Sequence, residues 1–335
     1  QAVGRQVIDK NQWRFLMNTK LIIVDGHCSV GKSSISKSVY KQIALNHDAY
    51  WLHEECETHP IRHQEFSFGA LDTAEGMESN RSGMLKKWVG FRDSIQASGK
   101  VCVTEGCFLH AYDRYFIHSL WNEDDIVTYS SQVLASINEL NPLLVFLYRP
   151  NLRKSLEKAF LARGKWWRDL MLRRDDLHVF FRDHEYVDEN SMFAAIEYEQ
   201  TMMMEIFDRL QCSKIKIDTS EEHWDQYVQE VIARTGFAYR NIDSHPFDMK
   251  QYLGTYRLQN GAEDDEWVIK YDDNNKCLYS TLFWNYMPMQ CVADNRFELI
   301  SFPVELWFQA TKDSMQFRVH GNYDWNYNNQ LFIKV

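Results

Sequence analysis

Apolar and polar positions alternate in two different rhythms along this chain. From Lys20 to about Thr219, short apolar runs alternate with long stretches of helical period: LIIVDG, YWLHEE, KVCVTEG, PLLVFLY and KIKIDT. Apolar strands separated by helices predict a parallel, doubly wound sheet of five strands with helices on both faces, a three-layer α/β/α class. Beyond Arg240–Phe247, where Asn, Asp, Ser, His and Pro cluster, the rhythm shortens. The runs GTYRL, EWVIKY, CLYSTLFW, FELISF, ELWFQA, MQFRVH and QLFIKV alternate apolar and polar residues between turn clusters such as DDNNK. They predict a small antiparallel β domain, barrel-like or a curled sheet. The expected division is a leader or tag at residues 1–16, an α/β domain over 17–240 and the β domain over 248–335.

Composition narrows the function classes. At 335 residues, 45% hydrophobic and 25% charged, the chain has the make-up of a folded globular protein of two domains. The formal charge of −10 gives a nucleic-acid backbone no overall attraction, so no nucleic-acid partner is expected. No stretch reaches the 18 apolar residues of a membrane span, and the first residues lack the apolar centre of a signal peptide, so a cytoplasmic location is expected. Seven cysteines without CxxC spacing argue against disulfide scaffolds and metal ribbons.

The strongest local signal is Gly26-His27-Cys28-Ser29-Val30-Gly31-Lys32-Ser33, a full match to GxxxxGK[ST] between the apolar strand LIIVD and the helical stretch SSISKSVYKQIA. Loop amides from Gly26 to Ser34 would turn inward around phosphates, with the positive end of the helix behind them. Lys32 would reach the β and γ phosphates of ATP, and Ser33 would hold Mg²⁺. The chain has no [NT]KxD tetrapeptide to read guanine and no hhhhD[DE] strand of a motor. A kinase type of loop protein remains, with its carboxylates at the tips of other strands.

The set LIIVDGHCSVGKSS, YWLHEECETHP, KVCVTEGCFLHAYDRYF, NPLLVFLYRPNLRKSLEKAFLARG and KIKIDTS resembles, in order and spacing over residues 20–235, the deoxynucleoside kinase and thymidylate kinase superfamily. It is also similar to bacterial thymidylate-kinase-like proteins with this loop. The resemblance implies that Glu54 accepts the proton of a substrate hydroxyl and that Glu105, after the third strand, lies close to the metal. Gly106 stands where that family's motif has an arginine, so deoxyribose specificity is not implied. The resemblance also makes the basic stretch around Arg149, Arg153, Arg163, Lys165, Arg168, Arg173 and Arg174 a lid, with Arg163 and then Arg168 as the cations closing on the transferring phosphoryl group. Asp218-Thr219-Ser220 falls where such kinases pack adenine.

A carboxylate such as Glu54 or Glu55 suits an alcohol acceptor, which needs a base, better than a phosphate acceptor, which needs cations. His53, His59 and His63 surround it without zinc-type spacing; Phe66, Phe68, Trp88 and Phe91 are candidates for an acceptor wall or for core. In the β domain, YLGTYRLQNG is similar to the small C-terminal β domain of some bacterial hydrolases. Its aromatics Trp267, Phe283, Trp284, Tyr286, Trp307 and Trp325 could line a ligand cup or fill a core. Homodimerisation, substrate capping and scaffolding are all open to it.

The expectation is an ATP- and Mg²⁺-dependent phosphotransferase acting on a hydroxyl of a small molecule, such as a nucleoside, a related metabolite or an antibiotic. A nucleoside monophosphate kinase and a nucleotide-switched binding protein are the alternatives.

Overall fold

In a computed structural model, the described residues are 19–61, 72–110, 114–172, 183–186, 188–242, 246–261, 266–321 and 327–335. The expected leader at 1–16 and His63, Phe66, Phe68, Arg173, Arg174 and Trp325 lie outside them. The described residues fall into two compact units that interleave along the chain. One lies within Gln1–Leu52, Pro60–Leu152 and Asp175–Arg240, the other within His53–His59, Arg153–Arg174 and Asn241–Val335.

The first unit is built on a five-stranded parallel sheet: β1 Leu21–Gly26, β2 Ala49–Leu52, β3 Val101–Glu105, β4 Leu143–Tyr148 and β5 Ser213–Asp218. Their spatial order is β2-β3-β1-β4-β5. β1 lies at the centre, with Val24 opposite Glu105 of β3 and Gly26 opposite Leu147 of β4. Every residue of β1 is buried, which is why it reads as an unbroken apolar run rather than an alternation. Helices α1 Lys32–Ala44 and, late in the chain, α8 Trp224–Thr235 pack on each other and against the sheet. A second group consists of α2 Ala74–Ser98, the short α3 Arg114–Ile117, α4 Glu123–Ser136 and α7 Glu189–Arg209, with α7 reaching β4. Trp88 and Phe91 of α2 are buried in core contact with each other. Caps fix the helix starts: Asn122 and Asp188 form reciprocal capping boxes on α4 and α7.

The second unit holds α5 Leu152–Arg163, α6 Lys165–Leu172 and a closed antiparallel barrel. The barrel strands are β6 Gly254–Leu258, β7 Glu266–Asp272, β8 Cys277–Ser280, β9 Met287–Ala293, β10 Arg296–Leu299, β11 Val304–Ala310, β12 Met315–Gly321 and β13 Leu331–Lys334. Each pairs with the next in the chain, and β13 closes on β6 through Ile333 opposite Arg257. The antiparallel barrel is as expected, but with eight strands rather than seven runs. MPMQCVA is a strand that the pattern does not announce, because Pro288 interrupts it. Conversely, CLYSTLFW is a strand only as far as Ser280; Phe283 takes a φ of 72° in the turn that follows.

The barrel interior is filled by its own side chains. Tyr256, Phe297, Phe308, Phe317 and Phe332 are all buried, with Phe317 stacked on Phe332 at 4.8 Å and Trp267 edge-on to Phe332 at 4.5 Å. An eight-stranded barrel is just wide enough for such filling. Trp267 therefore serves the core, Phe283 and Trp284 pack partly buried against it, and Trp307 stands 41% exposed outside.

Candidate functional site

The carboxyl end of β1 runs directly into the loop, and local backbone chemistry dictates that loop's glycines. Gly26 has φ 134° and Gly31 φ 95°, both in a region that favours glycine. A methyl group on Gly26 would come 2.1 Å from the Leu147 carbonyl oxygen, and one on Gly31 2.6 Å from the Trp224 indole. The two glycines thus let the loop press against β4 on one side and the start of α8 on the other. Ser29 between them also has positive φ, 67°.

Lys32, the first residue of α1, is largely buried, and its ammonium donates to the His27 carbonyl at 3.1 Å, folding back over the loop. Ser33 lies next to Glu105, its hydroxyl 3.0 Å from each carboxylate oxygen and able to donate to one at a time. Glu105 is fully buried at the tip of β3, the strand beside β1, and this placement brings the loop hydroxyl and the strand-tip carboxylate together. Lys32, Ser33 and Glu105 are thereby gathered at one end of the sheet, with Ser34 next along α1.

A second carboxylate supports this end. Asp25, the residue before the loop, is fully buried and accepts from the amides of Gly26 at 2.8 Å, Phe108 at 2.9 Å and His110 at 2.8 Å. It pins the segment after β3 to the end of β1. Burial pushes its carboxyl up to about 6, against the pull of those amides and of Lys32. Asp25 is not among the candidate residues that the sequence pattern marks. Its signal was present, an acid near the end of a wholly apolar strand, but two of the three amides, those of Phe108 and His110, come from residues that only the fold brings near.

Arg149, placed in the basic stretch by the sequence, acts as a brace in the first unit. It is buried, its Nε donates to Thr219 Oγ1 at 3.2 Å, and its Nη1 pairs with Glu222 at 3.0 Å. Thr219 in turn donates to the Val30 carbonyl at 2.9 Å, tying the end of β5 to the loop. Of the Asp218-Thr219-Ser220 run, Thr219 is thus the residue joined to the loop. His27 and Cys28 point into a buried polar cluster with Glu199.

The remaining predicted residues belong to the second unit. Glu54 lies half-buried in a turn after β2, where Cys56 N–H donates to the His53 carbonyl and Glu55 N–H to His53 Nδ1, each at 3.0 Å; Glu57 is exposed. Arg163 ends α5 with its guanidinium between two indoles, 4.2 Å from Trp167 and 4.2 Å from Trp284. The same barrel turn donates Tyr286 N–H to the Ala162 carbonyl at 3.0 Å. Arg168 Nη1 lies 3.9 Å from Asp169, which Lys165 also pairs with, and Arg153 pairs with Glu157. A pocket of about 370 Å³ in the first unit, lined by Asn141, Pro142 and Ser213 among others, opens at the amino ends of β4 and β5, the wrong end of the sheet for the loop.

No protein-family model matches the chain, and no curated protein matches it. Among solved structures, it is similar to a sugar kinase from Janibacter sp. HTCC2649, solved without ligand. That match has 12% identity and a TM-score of 0.34, over 66% of this chain and 96% of the other. It is also similar to a chain carrying a provisional kinase name from Chloroflexus aurantiacus J-10-fl, at 15% identity and a TM-score of 0.35, over 65% of this chain and 99% of the other. Likeness at this level carries no weight for activity or substrate. The five-stranded parallel sheet is compatible with an α/β kinase fold. No described helix is long and apolar enough to cross a membrane.

Proposed function

We propose that the chain is a phosphotransferase that moves the γ-phosphoryl group of ATP to a hydroxyl of a small molecule. One observation carries the reading. The octet Gly26–Ser33 is folded as strand, glycine-hinged loop and helix, with Lys32 turned over the loop and Ser33 joined to a buried carboxylate at the neighbouring strand tip. Loop amides and a helix start favour an anion, and Lys32 would exchange the His27 carbonyl for a phosphate oxygen.

A hydroxyl and a carboxylate are hard oxygen donors, the set Mg²⁺ prefers, so Ser33 and Glu105 fit as the residues that would hold it. When bound, that ion supplies positive charge against the phosphate oxygens. The chain's own residues do the rest by positioning. Lys32 and the loop amides hold the β and γ phosphates, and Asp25 keeps the strand tip carrying Glu105 in place. In the roles that the resemblance implies, Glu54 would take the proton of the attacking hydroxyl, and Arg163, then Arg168, would offset charge on the transferring group. The last three roles rest on the family resemblance. Nucleosides and nucleoside-like compounds are the acceptor class to try first.

The test is a metabolite screen that follows ATP consumption. Lys32→Ala should abolish transfer. Glu54→Gln should lower turnover strongly while MgATP still binds, and normal turnover in that variant removes Glu54 from its role.

A further inference from the structure

The loop contains more chemistry than phosphate binding requires. Cys28 Sγ lies 3.1 Å from His27 Nδ1, and the other ring nitrogen of His27 lies 2.8 Å from Glu199 Oε2 on α7. His27 and Glu199 are fully buried, whereas Cys28 keeps 8% of its surface exposed. A thiol bonded to an imidazole whose far nitrogen is held by a carboxylate is the arrangement that activates cysteine nucleophiles. Three more groups face it. His118 Nε2 lies 2.9 Å from the second oxygen of Glu199, the His110 ring meets His27 edge-on at 5.8 Å, and Lys32 binds the His27 carbonyl.

We propose that Cys28 is an activated thiol, with His27 as its base and Glu199 orienting that base, and that a small peroxide oxidises it and closes the loop to phosphate. With the thiol proton taken up by His27 Nδ1, the sulfur attacks one oxygen of hydrogen peroxide and the O–O bond breaks. Sulfur is oxidised from thiolate to sulfenic acid, and the departing hydroxide takes the proton from His27 Nδ1 to leave as water. The peroxide is the oxidant, and no other co-reactant is needed. Cys28 lies inside the octet Gly26–Ser33, so an S–OH group there adds an oxygen to the segment that a phosphate would occupy and competes with it. That competition rests on the phosphotransferase reading; the thiol chemistry does not.

Electrostatics agree with the geometry. Burial works against a charged His27 ring, yet the Cys28 thiol and the Glu199 carboxylate outweigh it and hold the imidazole above its ordinary value. Other cysteines supply internal controls. Cys107 is buried, bonded to the Thr104 hydroxyl, and pushed well up by burial and by the carboxyl groups of Asp25 and Glu105. Cys212 and Cys277 are more exposed than Cys28, and burial raises both.

Site-resolved alkylation of the folded full chain with iodoacetamide, read by peptide mass, tests this. At about pH 6.5, Cys28 should react about tenfold faster than Cys212 and Cys277 despite its lower exposure, and Cys107 should stay unmodified. A Cys28 rate at or below that of Cys212 overturns the proposal. In His27→Gln, Cys28 should lose its lead while Cys212 keeps its rate; an unchanged ranking overturns the role of His27. Peroxide should give a sulfenic acid at Cys28 first. MgATP should slow Cys28 alone, and MgATP that binds without slowing it overturns the competition. If MgATP does not bind, the competition falls with the phosphotransferase reading, while the ranking of thiols still decides the rest.

Discussion

Two aspartates, one in each unit, are displaced in opposite directions. Asp25 in the sheet unit is fully buried among amides and is pushed up to about 6 by burial. Asp272 in the barrel unit is at the surface. It accepts from Tyr286 Oη at 2.6 Å and from the side-chain amide of Asn275 at 2.7 Å, and these bonds pull it down to about 2. The sheet unit places ionisable groups in its interior, around one loop, at a cost in stability. The barrel fills its centre with aromatics such as Phe297, Phe317 and Phe332 and, among its described residues, buries one carboxyl group, Glu298. Buried ionisable groups gathered around one loop point to a candidate site, and packed aromatics to a structural role.

The largest expected effect lies in the loop. Lys32→Ala should reduce transfer by about a thousandfold or more, as loss of a group that stabilises transition-state charge does, while thermal stability changes little. Phe317→Ala should do the reverse. It should destabilise the barrel by about 3–5 kcal/mol in denaturant titration, yet leave MgATP affinity within about twofold. Gly26→Ala combines a positive φ with a methyl group driven onto the Leu147 carbonyl, and should cost about 3 kcal/mol and weaken MgATP binding together.

The two aspartates give the smaller and sharper test. Because the folded carboxyl of Asp25 lies above its unfolded value, its ionisation opposes folding. Stability should therefore rise by about 3 kcal/mol as pH falls from above about 6 to about 4, and Asp25→Asn should flatten that slope. Asp272 lies below its unfolded value, so its contribution is present above about pH 4 and is lost as pH falls through about 2. Asp272→Asn should alter only that acid limb, and slightly. Urea midpoints across pH for the two variants measure both signs in one experiment.

The same contrast explains what the sequence reveals. Parallel strands buried on both faces stand out as LIIVDG and PLLVFLY, and the octet follows the first of them without interruption. Glu105 is legible because it ends an apolar run. Glu199 is not: it lies in EYEQTMMM on a long helix, and its partner His27 is 172 positions away. In the barrel, alternation reveals most strands, but Pro288 hides β9, and the positive φ of Phe283 turns LFW out of the strand its side chains suggest. The union of α5 and α6 with the barrel depends on the Tyr286–Ala162 hydrogen bond and the Trp284–Arg163 stack. No local pattern announces such contacts between distant segments.

Calorimetric titration of MgATP into the full chain, beside Lys32→Ala, tests the central claim most directly. A saturable heat in the first that vanishes in the second is the predicted result. No heat from the unaltered chain, with the protein shown to be folded, would contradict the reading of the loop as a nucleotide site.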